Sequence, residues 1–232
     1  MGKTLVRLAI AQSELFSSWP AEAVSRIVDA AELETVESGA HVIKSGDNLD
    51  CVYLLATGSM TLCKDSQTDR SFTVAIHLPG DFHGLGTVMT QSPQTYTAVC
   101  KEKTLLIRIP GALLREMVIN DGRLAFSLFA AQEVRRRRAL SRYETAAVYS
   151  TRARIAILLE SVSARIRRSG NEQEINLSQE EIANMLGTRR QVVNKILREI
   201  SSRGAIDLRY GRIVITDAEK LAEIAADRQA SQ

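Results

Sequence analysis

The sequence lacks long apolar runs and is poor in cysteine. No stretch reaches the roughly 18 consecutive apolar residues that a transmembrane helix requires, so a membrane span is excluded. The first residues, MGKTLVRLAIAQSELFSSW, have neither the apolar core nor the cleavage pattern of a signal peptide. The 3 cysteines, Cys51, Cys63 and Cys100, are too few and too widely spaced for a disulfide framework or a zinc site. We therefore expect a soluble protein of the reducing cytoplasm.

The compact motifs of common catalytic sites are also missing. The chain has no His-x-His pair to seat a cupin metal and no HExxH metalloprotease motif. It has no Gly-x-x-x-x-Gly-Lys phosphate loop and no nucleophile elbow. These absences predict a protein that is not an enzyme and that carries no catalytic metal.

Charge is nearly balanced over the 232 residues but unevenly distributed. The formal net charge is +3, whereas arginine is concentrated in the segments 135–138, 152–168 and 189–212. Many of the acids lie within residues 1–110. A basic C-terminal half is typical of a nucleic-acid binder that has a separate sensing or scaffold domain.

The N-terminal half changes from helical to β character along its length. Apolar residues recur at helical spacing over 21–33. From there to about Ile109, short β-branched runs such as CVYLLAT and FTVAIHL alternate with turn residues. Strands at such regular spacing predict a β-sandwich or barrel, with the jelly roll as the natural choice.

A long helix is predicted after the strands. Asn120 or Asp121 is placed to cap a helix that runs to about Ala147. Its apolar side is wider than a helix resting on a small domain needs, which predicts a second helix packed against it. The residues expected at that contact are Leu124, Leu128, Ala131 and Val134.

Residues 177–216, LSQEEIANMLGTRRQVVNKILREISSRGAIDLRYGRIVIT, carry the strongest local signals. Ser178 and Glu181 form a capping box that opens a short helix, and Gly187 suits the left-handed turn that ends it. Thr188 is predicted to cap the next helix. Two capped helices joined so closely predict a helix-turn-helix, and the hairpin predicted around Tyr210-Gly211 would be its wing.

The second of these helices divides into an apolar and a polar face. Val192, Val193, Ile196, Leu197 and Ile200 are predicted to be buried. The opposite side carries groups suited to base edges and phosphates. The predicted DNA contacts are Ser178, Thr188, Arg189, Arg190, Gln191, Asn194, Lys195, Arg198, Arg209 and Arg212. The alternative is an amphipathic helix whose basic side faces only solvent. That alternative does not account for the caps, the tight turn and the basic hairpin occurring in this order.

These segments resemble the CRP/FNR family of bacterial transcription regulators. The segment QEEIANMLGTRRQVVNKILREI is similar to that family's helix-turn-helix signature. Five glycines, Gly39, Gly46, Gly58, Gly80 and Gly84, lie in segments that resemble its jelly roll, including VYLLATGSMTL and LPGDFHGLG.

The resemblance implies an α+β chain in three parts. These would be a jelly-roll sensor domain (1–118), a dimerisation helix and hinge (119–147), and a winged helix-turn-helix domain (148–232). It also implies a homodimer joined along the helix near 121–145, and a sequence-specific regulator that reads a pseudo-palindromic site. The implied partners are double-stranded DNA, RNA polymerase and an unknown small-molecule effector.

This chain departs from the family's best-known reading triplet. Arg190 is kept, but Gln191 stands where the family has glutamate and Lys195 where it has the second arginine. Glutamate accepts a hydrogen bond from cytosine, and Gln191 cannot make the same charged contact. We therefore expect a half-site that differs from the family's best-known ones.

The implied effector pocket also departs from the cyclic-nucleotide pattern. Family members that bind these ligands have a glutamate for the ribose and an arginine for the phosphate. Here the corresponding segments are Gly84-Leu85-Gly86 and Thr95-Tyr96-Thr97, without either charge. A buried phosphate without a cation is costly, which argues against cyclic AMP or cyclic GMP as the effector.

Other cofactors of the family remain as alternatives or are excluded. Three scattered cysteines cannot supply the four ligands of an iron–sulfur cluster. Haem is an open alternative, with His41, His77 and His83 as candidate axial ligands. A redox role for Cys51, Cys63 or Cys100 is also open, although their apolar neighbours predict buried, inert thiols. A ligand-sensing scaffold that does not bind DNA is the alternative function.

Overall fold

The computed structural model describes residues 2–65, 71–168 and 174–227. Its internal contacts divide the chain into two units, Met1–Arg135 and Arg136–Gln232. The boundary lies within a long helix, α5 (Gly122–Val148). Among the described residues, no helix is long and apolar enough to cross a membrane.

The first unit is a β-sandwich flanked by helices. It begins with α1 (Gly2–Gln12), a 3₁₀ turn (Phe16–Ser18) and α2 (Ala21–Ala30). Its strands are β1 (Glu32–Val36), β2 (His41–Ile43), β3 (Cys51–Thr57), β4 (Met60–Asp65), β5 (Ser71–His77), β6 (Phe82–His83), β7 (Thr97–Cys100) and β8 (Thr104–Pro110). Helix α3 (Leu85–Thr90) precedes β7, and α4 (Gly111–Asn120) follows β8.

The strands form two antiparallel sheets of four. One has the order β1-β8-β3-β6 and the other β2-β7-β4-β5. This arrangement confirms the predicted jelly-roll class. Helix α1 was not foreseen, and α2 ends at Ala30 rather than near Leu33, because Leu33 pairs with Ile107 as part of β1.

Strand β3 is buried on both faces, which explains its unbroken apolar sequence. Val52 and Leu54 face a core shared with the helices, whereas Tyr53 and Leu55 face the core between the two sheets. Alternate residues of a strand point to opposite sides, so one short run serves both cores.

Glycine is required at the turn between β3 and β4. All five glycines that carry the family resemblance have positive φ, and Gly58 has φ 82°. A Cβ at Gly58 would lie 2.5 Å from the Thr104 hydroxyl oxygen and 2.8 Å from the Thr104 Cα. The left-handed backbone and the nearby strand β8 therefore both exclude a side chain here.

The substitution Gly58→Ala should destabilise the first unit by about 2–4 kcal/mol, because it adds backbone strain and a clash with β8. Chemical denaturation of the full chain measures this loss. Gly86→Ala is the matched control, since a Cβ there meets no atom within 4 Å and α3 gains a better helix former. Equal stability of the two variants would contradict the argument.

The second unit contains the remaining elements. They are α6 (Thr151–Arg168), β9 (Glu174–Ile175), α7 (Gln179–Leu186), α8 (Arg190–Ser202), β10 (Ile206–Arg209), β11 (Arg212–Ile215) and α9 (Ala218–Ala225). The three strands form a small antiparallel sheet of order β10-β11-β9. The predicted α+β architecture of β domain, long helix and winged helix-turn-helix is thus confirmed, with β9 and α9 as additions.

Helix α6 anchors the helix-turn-helix within this unit. Ile155 and Leu159 of α6 are fully buried. Arg152 donates to the carboxylates of Glu199 in α8 and Asp227, and Arg154 donates to the Leu186 carbonyl at the end of α7. These contacts fix α7 and α8 against α6 through charge-assisted bonds as well as apolar packing.

Part of the predicted dimer contact lies inside the first unit instead. Leu124 is only 3% exposed and belongs to the core of its own chain, and Leu128 and Ala131 pack against that core. The prediction for Leu124 is therefore wrong, because the face of α5 that bears it is already covered by the β domain's own residues. Phe126 and Phe129 are 73% and 67% exposed on another side of α5, and Val134 is also exposed.

Candidate nucleic-acid interface

The first helix of the helix-turn-helix is capped as the sequence predicts. The Glu181 amide donates to the Ser178 hydroxyl at 3.1 Å, and the Ser178 amide donates to the Glu181 carboxylate at 2.8 Å. Gly187 ends α7 in the left-handed conformation with φ 63°. The capping box and the glycine together define both ends of this eight-residue helix.

The second helix begins later than predicted. Thr188 is not its cap: the Thr188 amide donates to the Ala183 carbonyl within the turn that closes α7, and the cap position falls one residue later. Arg189 occupies the cap position with extended backbone and makes no capping hydrogen bond through its side chain. Helix α8 therefore starts at Arg190, which places Arg190 and Gln191 in its first turn.

The buried face of α8 is narrower than predicted. Val193, Leu197 and Ile200 are fully buried and Ile196 is half-buried, whereas Val192 is 39% exposed. Helix residues are about 100° apart, so Val192 lies about 100° from the direction of Val193 at the centre of the buried face. The prediction that Val192 is buried is wrong for this reason.

The polar face of α8 is accessible within the second unit. Arg189, Arg190, Gln191, Lys195 and Arg198 are all exposed. Asn194 is half-buried, and its side-chain oxygen accepts a hydrogen bond from Gln179 Nε2 at 3.4 Å.

A groove joins this face to the start of α7. It is lined by Gln179, Glu180, Arg190, Gln191 and Asn194. Gln179 and Glu180 were not predicted as site residues. Their position in the first turn of the capped helix α7 was the feature of the sequence that could have indicated them. The groove combines amide donors and acceptors, a guanidinium and a carboxylate, which are the groups that read base edges.

The predicted wing is a hairpin whose tip carries Tyr210, a fully exposed side chain. Arg209 and Arg212 lie directly opposite each other in the β10–β11 register. Both guanidinium groups contact the carboxylate of Glu174 in β9, and Arg209 also pairs with Asp207 at 3.1 Å. The two arginines are thus exposed but already paired with acids of the second unit.

Two domain families match this chain. A Crp-like helix-turn-helix domain matches residues 152–224, and a cyclic nucleotide-binding domain matches residues 33–121. Together the two matches span more than half of the chain. The chain belongs to the CRP/FNR family of transcription regulators.

Individual CRP/FNR proteins are similar over most of the chain. The CRP-like cAMP-activated global transcriptional regulator of Mycobacterium tuberculosis is 23% identical over 219 residues, which are 93% of this chain and 98% of that protein. The transcriptional activator protein Anr of Pseudomonas protegens is 24% identical over 82% of this chain and 79% of its own length. The structure of FixK2 from Bradyrhizobium japonicum shares the fold with a TM-score of 0.75 at 20% identity, covering 87% of this chain and 99% of that chain.

The two segments implied to line the CRP/FNR effector pocket are joined by one buried hydrogen bond. Gly84 and Leu85 are buried and Gly86 is exposed, while Thr95 is exposed, Tyr96 half-buried and Thr97 buried. His83 precedes the first segment and Gln94 precedes the second. The Gln94 amide nitrogen lies 2.7 Å from His83 Nε2, so a direct bond connects the two segments.

The hydrogen bonds around His83 fix the tautomers of two histidines. The Gln94 side-chain oxygen accepts from the Thr95 amide, so its NH₂ donates to His83 Nε2. His83 Nδ1 must then carry the proton, which it donates to His77 Nε2 at 3.3 Å. His77 Nδ1 in turn carries a proton toward Asp81 Oδ2, 3.6 Å away.

The His83 imidazole in this chain of bonds is therefore neutral. Burial, followed by the proximity of His77 and Arg135, lowers the pKa of His83 to about 3. Both ring nitrogens of His83 are engaged, so axial ligation of haem there would break a buried hydrogen bond. His41 lies exposed on β2. The structure thus gives the haem alternative no preformed histidine ligand at position 83.

Two of the three cysteines are in environments that favour the thiol. Cys51 and Cys100 are buried, and burial raises the pKa of each. Cys63 is half-buried, and its Sγ donates to the Thr97 carbonyl at 3.6 Å. Over the described ranges, no group of three or more histidines, cysteines and acids is arranged to hold a metal ion.

Proposed function

We propose that this CRP/FNR regulator binds a pseudo-palindromic DNA site as a homodimer, with one helix α8 in each of two successive major grooves. The observation that carries this proposal is the accessible polar face of α8, held in place by the buried Val193, Leu197 and Ile200. Half-sites about 34 Å apart would match the two-fold symmetry of such a dimer. The protein would act on DNA in the cytoplasm and contact RNA polymerase there.

Base reading is assigned to the first turns of α8. Arg190 suits a bidentate contact with guanine, and Gln191 suits adenine. Lys195 and Arg198 lie one and two turns further along the exposed side, where they would contact base edges or phosphates. Exposed Val192 adds an apolar group beside this face that suits a thymine methyl. Ser178, Thr188 and Arg189, at the starts of α7 and α8, would contact the DNA backbone.

Arg190→Ala should weaken binding to the specific site by about 1–3 kcal/mol and relax preference at one base pair. The measurement is a gel shift with genomic fragments selected by the wild-type protein, compared with randomised duplexes. Arg203→Ala is the matched control, since Arg203 directly follows α8 and bonds to Glu199 rather than facing the groove.

The outcomes of that experiment separate the alternatives. Equal loss on all duplexes would show that Arg190 contacts only phosphate. A wild-type protein that retards no fragment selectively at physiological salt would instead support the scaffold function and contradict DNA reading.

The dimer is proposed to form through the exposed side of α5 rather than through Leu124. Phe126 and Phe129 supply large apolar groups that are exposed on the first unit's part of this helix. Exposed aromatic side chains grouped on one helix are typical of an association surface. Leu128 and Ala131 are partly buried and would border this surface, as would Val134.

The effector is proposed to be something other than a cyclic nucleotide. The segments Gly84–Gly86 and Thr95–Thr97 provide no cation for a cyclic phosphate, and the His83–Gln94 bond ties them together. The name of the Mycobacterium tuberculosis relative describes activation by cAMP, but that property belongs to the relative. Calorimetric titration with cyclic AMP and cyclic GMP should show no binding, and a measurable affinity would overturn this part of the proposal.

A further inference from the structure

The tip of the wing holds two like charges in direct opposition. Arg209 and Arg212 are cross-strand partners in the β10–β11 ladder, and their side chains remain more than half exposed. Like charges facing each other across a strand pair are destabilising. Something in the second unit must offset this repulsion for the hairpin to close with both arginines at its tip.

Glu174 supplies the offsetting charge from the third strand. Its strand β9 pairs with β11, where Glu174 stands opposite Val214. Glu174 Oε1 lies 3.2 Å from Arg209 Nη1, and its Oε2 contacts Arg212 Nη1. One carboxylate therefore bridges both guanidinium groups. The Glu174 side chain is only 26% exposed, so the acid lies beneath the cations it binds.

The charges of the wing sheet sum to zero. Strands β9, β10 and β11 carry two arginines, together with Glu174 and Asp207. Asp207 bonds to Arg209 Nε, and this bond and the contact with Glu174 raise the pKa of Arg209. The sequence predicts a basic hairpin, but in the structure the charges of its two arginines are balanced by Asp207 of the hairpin and Glu174 of the neighbouring strand.

We infer that Glu174 is the internal counter-ion of the wing, occupying the arginines until a DNA phosphate replaces it. This inference rests on the proposed function and on the DNA contacts that the sequence predicts for Arg209 and Arg212. A phosphate and a carboxylate both accept paired hydrogen bonds from guanidinium groups, so they compete for the same donors. Glu174 sets how strongly the wing attracts DNA of any sequence.

Glu174→Gln in the full chain should therefore bind a non-specific duplex about two- to tenfold more tightly, because no ion pair has to be given up. The slope of log affinity against log salt should steepen by about 1, since the carboxylate no longer takes back a cation. Fluorescence anisotropy over a series of salt concentrations measures both quantities. The gain should vanish when Arg209 and Arg212 are both changed to alanine.

Matched variants keep this test decisive. Glu219→Gln removes the same charge from the first turn of α9, outside the wing, and should give a much smaller gain. If Glu174→Gln lowers the melting temperature, Asp207→Asn removes the second counter-ion of Arg209 and should give a smaller gain in the same direction.

Three results would overturn the inference. These are unchanged or weaker binding by folded Glu174→Gln, an equal gain for Glu219→Gln, and a gain that survives loss of both arginines. Elution of each variant from heparin measures attraction to a polyanion without any DNA sequence. A wild-type protein that selects no DNA site would thus contradict the proposed function, while the heparin shift would still decide the role of Glu174.

Discussion

Acidification from pH 6.5 to 4.5 should destabilise the first unit by about 2 kcal/mol through His83 alone. The pKa of His83 falls from 6.5 to about 3 on folding, because the ring is buried beside His77 and Arg135. Between those two values the unfolded chain binds the proton and the folded chain does not. The contribution of His83 is therefore complete only well above pH 6.5, and it is lost as the pH falls, at up to about 1.4 kcal/mol per pH unit between the two values.

Urea denaturation at pH 7, 5.5 and 4.5 measures this effect. His83→Gln should unfold more easily at pH 7, since it loses the bond to His77, but should show a much shallower dependence on pH. His41→Gln is the control, because His41 is exposed on β2 and its loss should leave the wild-type dependence intact. An undiminished pH dependence in His83→Gln would contradict the assignment. The window ends at pH 4.5, above the ordinary aspartate pKa of 3.8, so that Asp121, whose pKa is lowered to about 2 on folding, contributes little.

Phe126→Asp combined with Phe129→Asp should convert the proposed dimer to a monomer and weaken DNA binding by about 100-fold or more. A charge on each of two opposed helices cannot be buried without a partner, so association is lost. The second half-site then no longer benefits from being linked to the first. Analytical ultracentrifugation gives the state of association, and anisotropy with the selected DNA site gives the affinity.

Phe72→Asp provides the matched control for the dimer prediction. Phe72 is a similarly exposed aromatic residue, but it lies on β5 of the sandwich rather than on α5. It should leave both the mass and the DNA affinity unchanged. A double α5 variant that remains dimeric would show that the chains associate through another surface.

Local chemistry made much of this molecule predictable from sequence. The Ser178–Glu181 box depends on residues three apart, and Gly187 on its own backbone, so both could be read directly. The second cap could not, because the turn that closes α7 includes Thr188 and the cap position of α8 falls one residue later, at Arg189. A cap motif gives the residue types but not the register of the turn between two helices.

The sequence could not show which surface covers the apolar side of a helix, nor which residues far apart in the chain form ion pairs. The periodicity of α5 shows an apolar side at Leu124 but does not say whether the sandwich or a second chain covers it. The pairing of Glu174 with Arg209 spans 35 positions and depends on β9, a strand of only two residues. So short a strand carries no periodic signal, and the acid that neutralises the wing therefore could not be found from sequence.

The double-sided burial of β3 has a consequence for how the sandwich finds its alignment. In most strands a slip by one residue exposes apolar groups to water, and this penalty selects the correct pairing. A slip of β3 by one residue would only move its apolar side chains from one buried core to the other. Burial of apolar groups therefore does little to select the register of this strand. The register is selected instead by backbone geometry. The left-handed backbone at Gly58 and the adjoining irregularity between Leu55 and Thr57 are compatible with one alignment of β3 with β8. The register of β3 in the sandwich is thus set by the geometry of the turn at Gly58 rather than by the hydrophobicity of the strand.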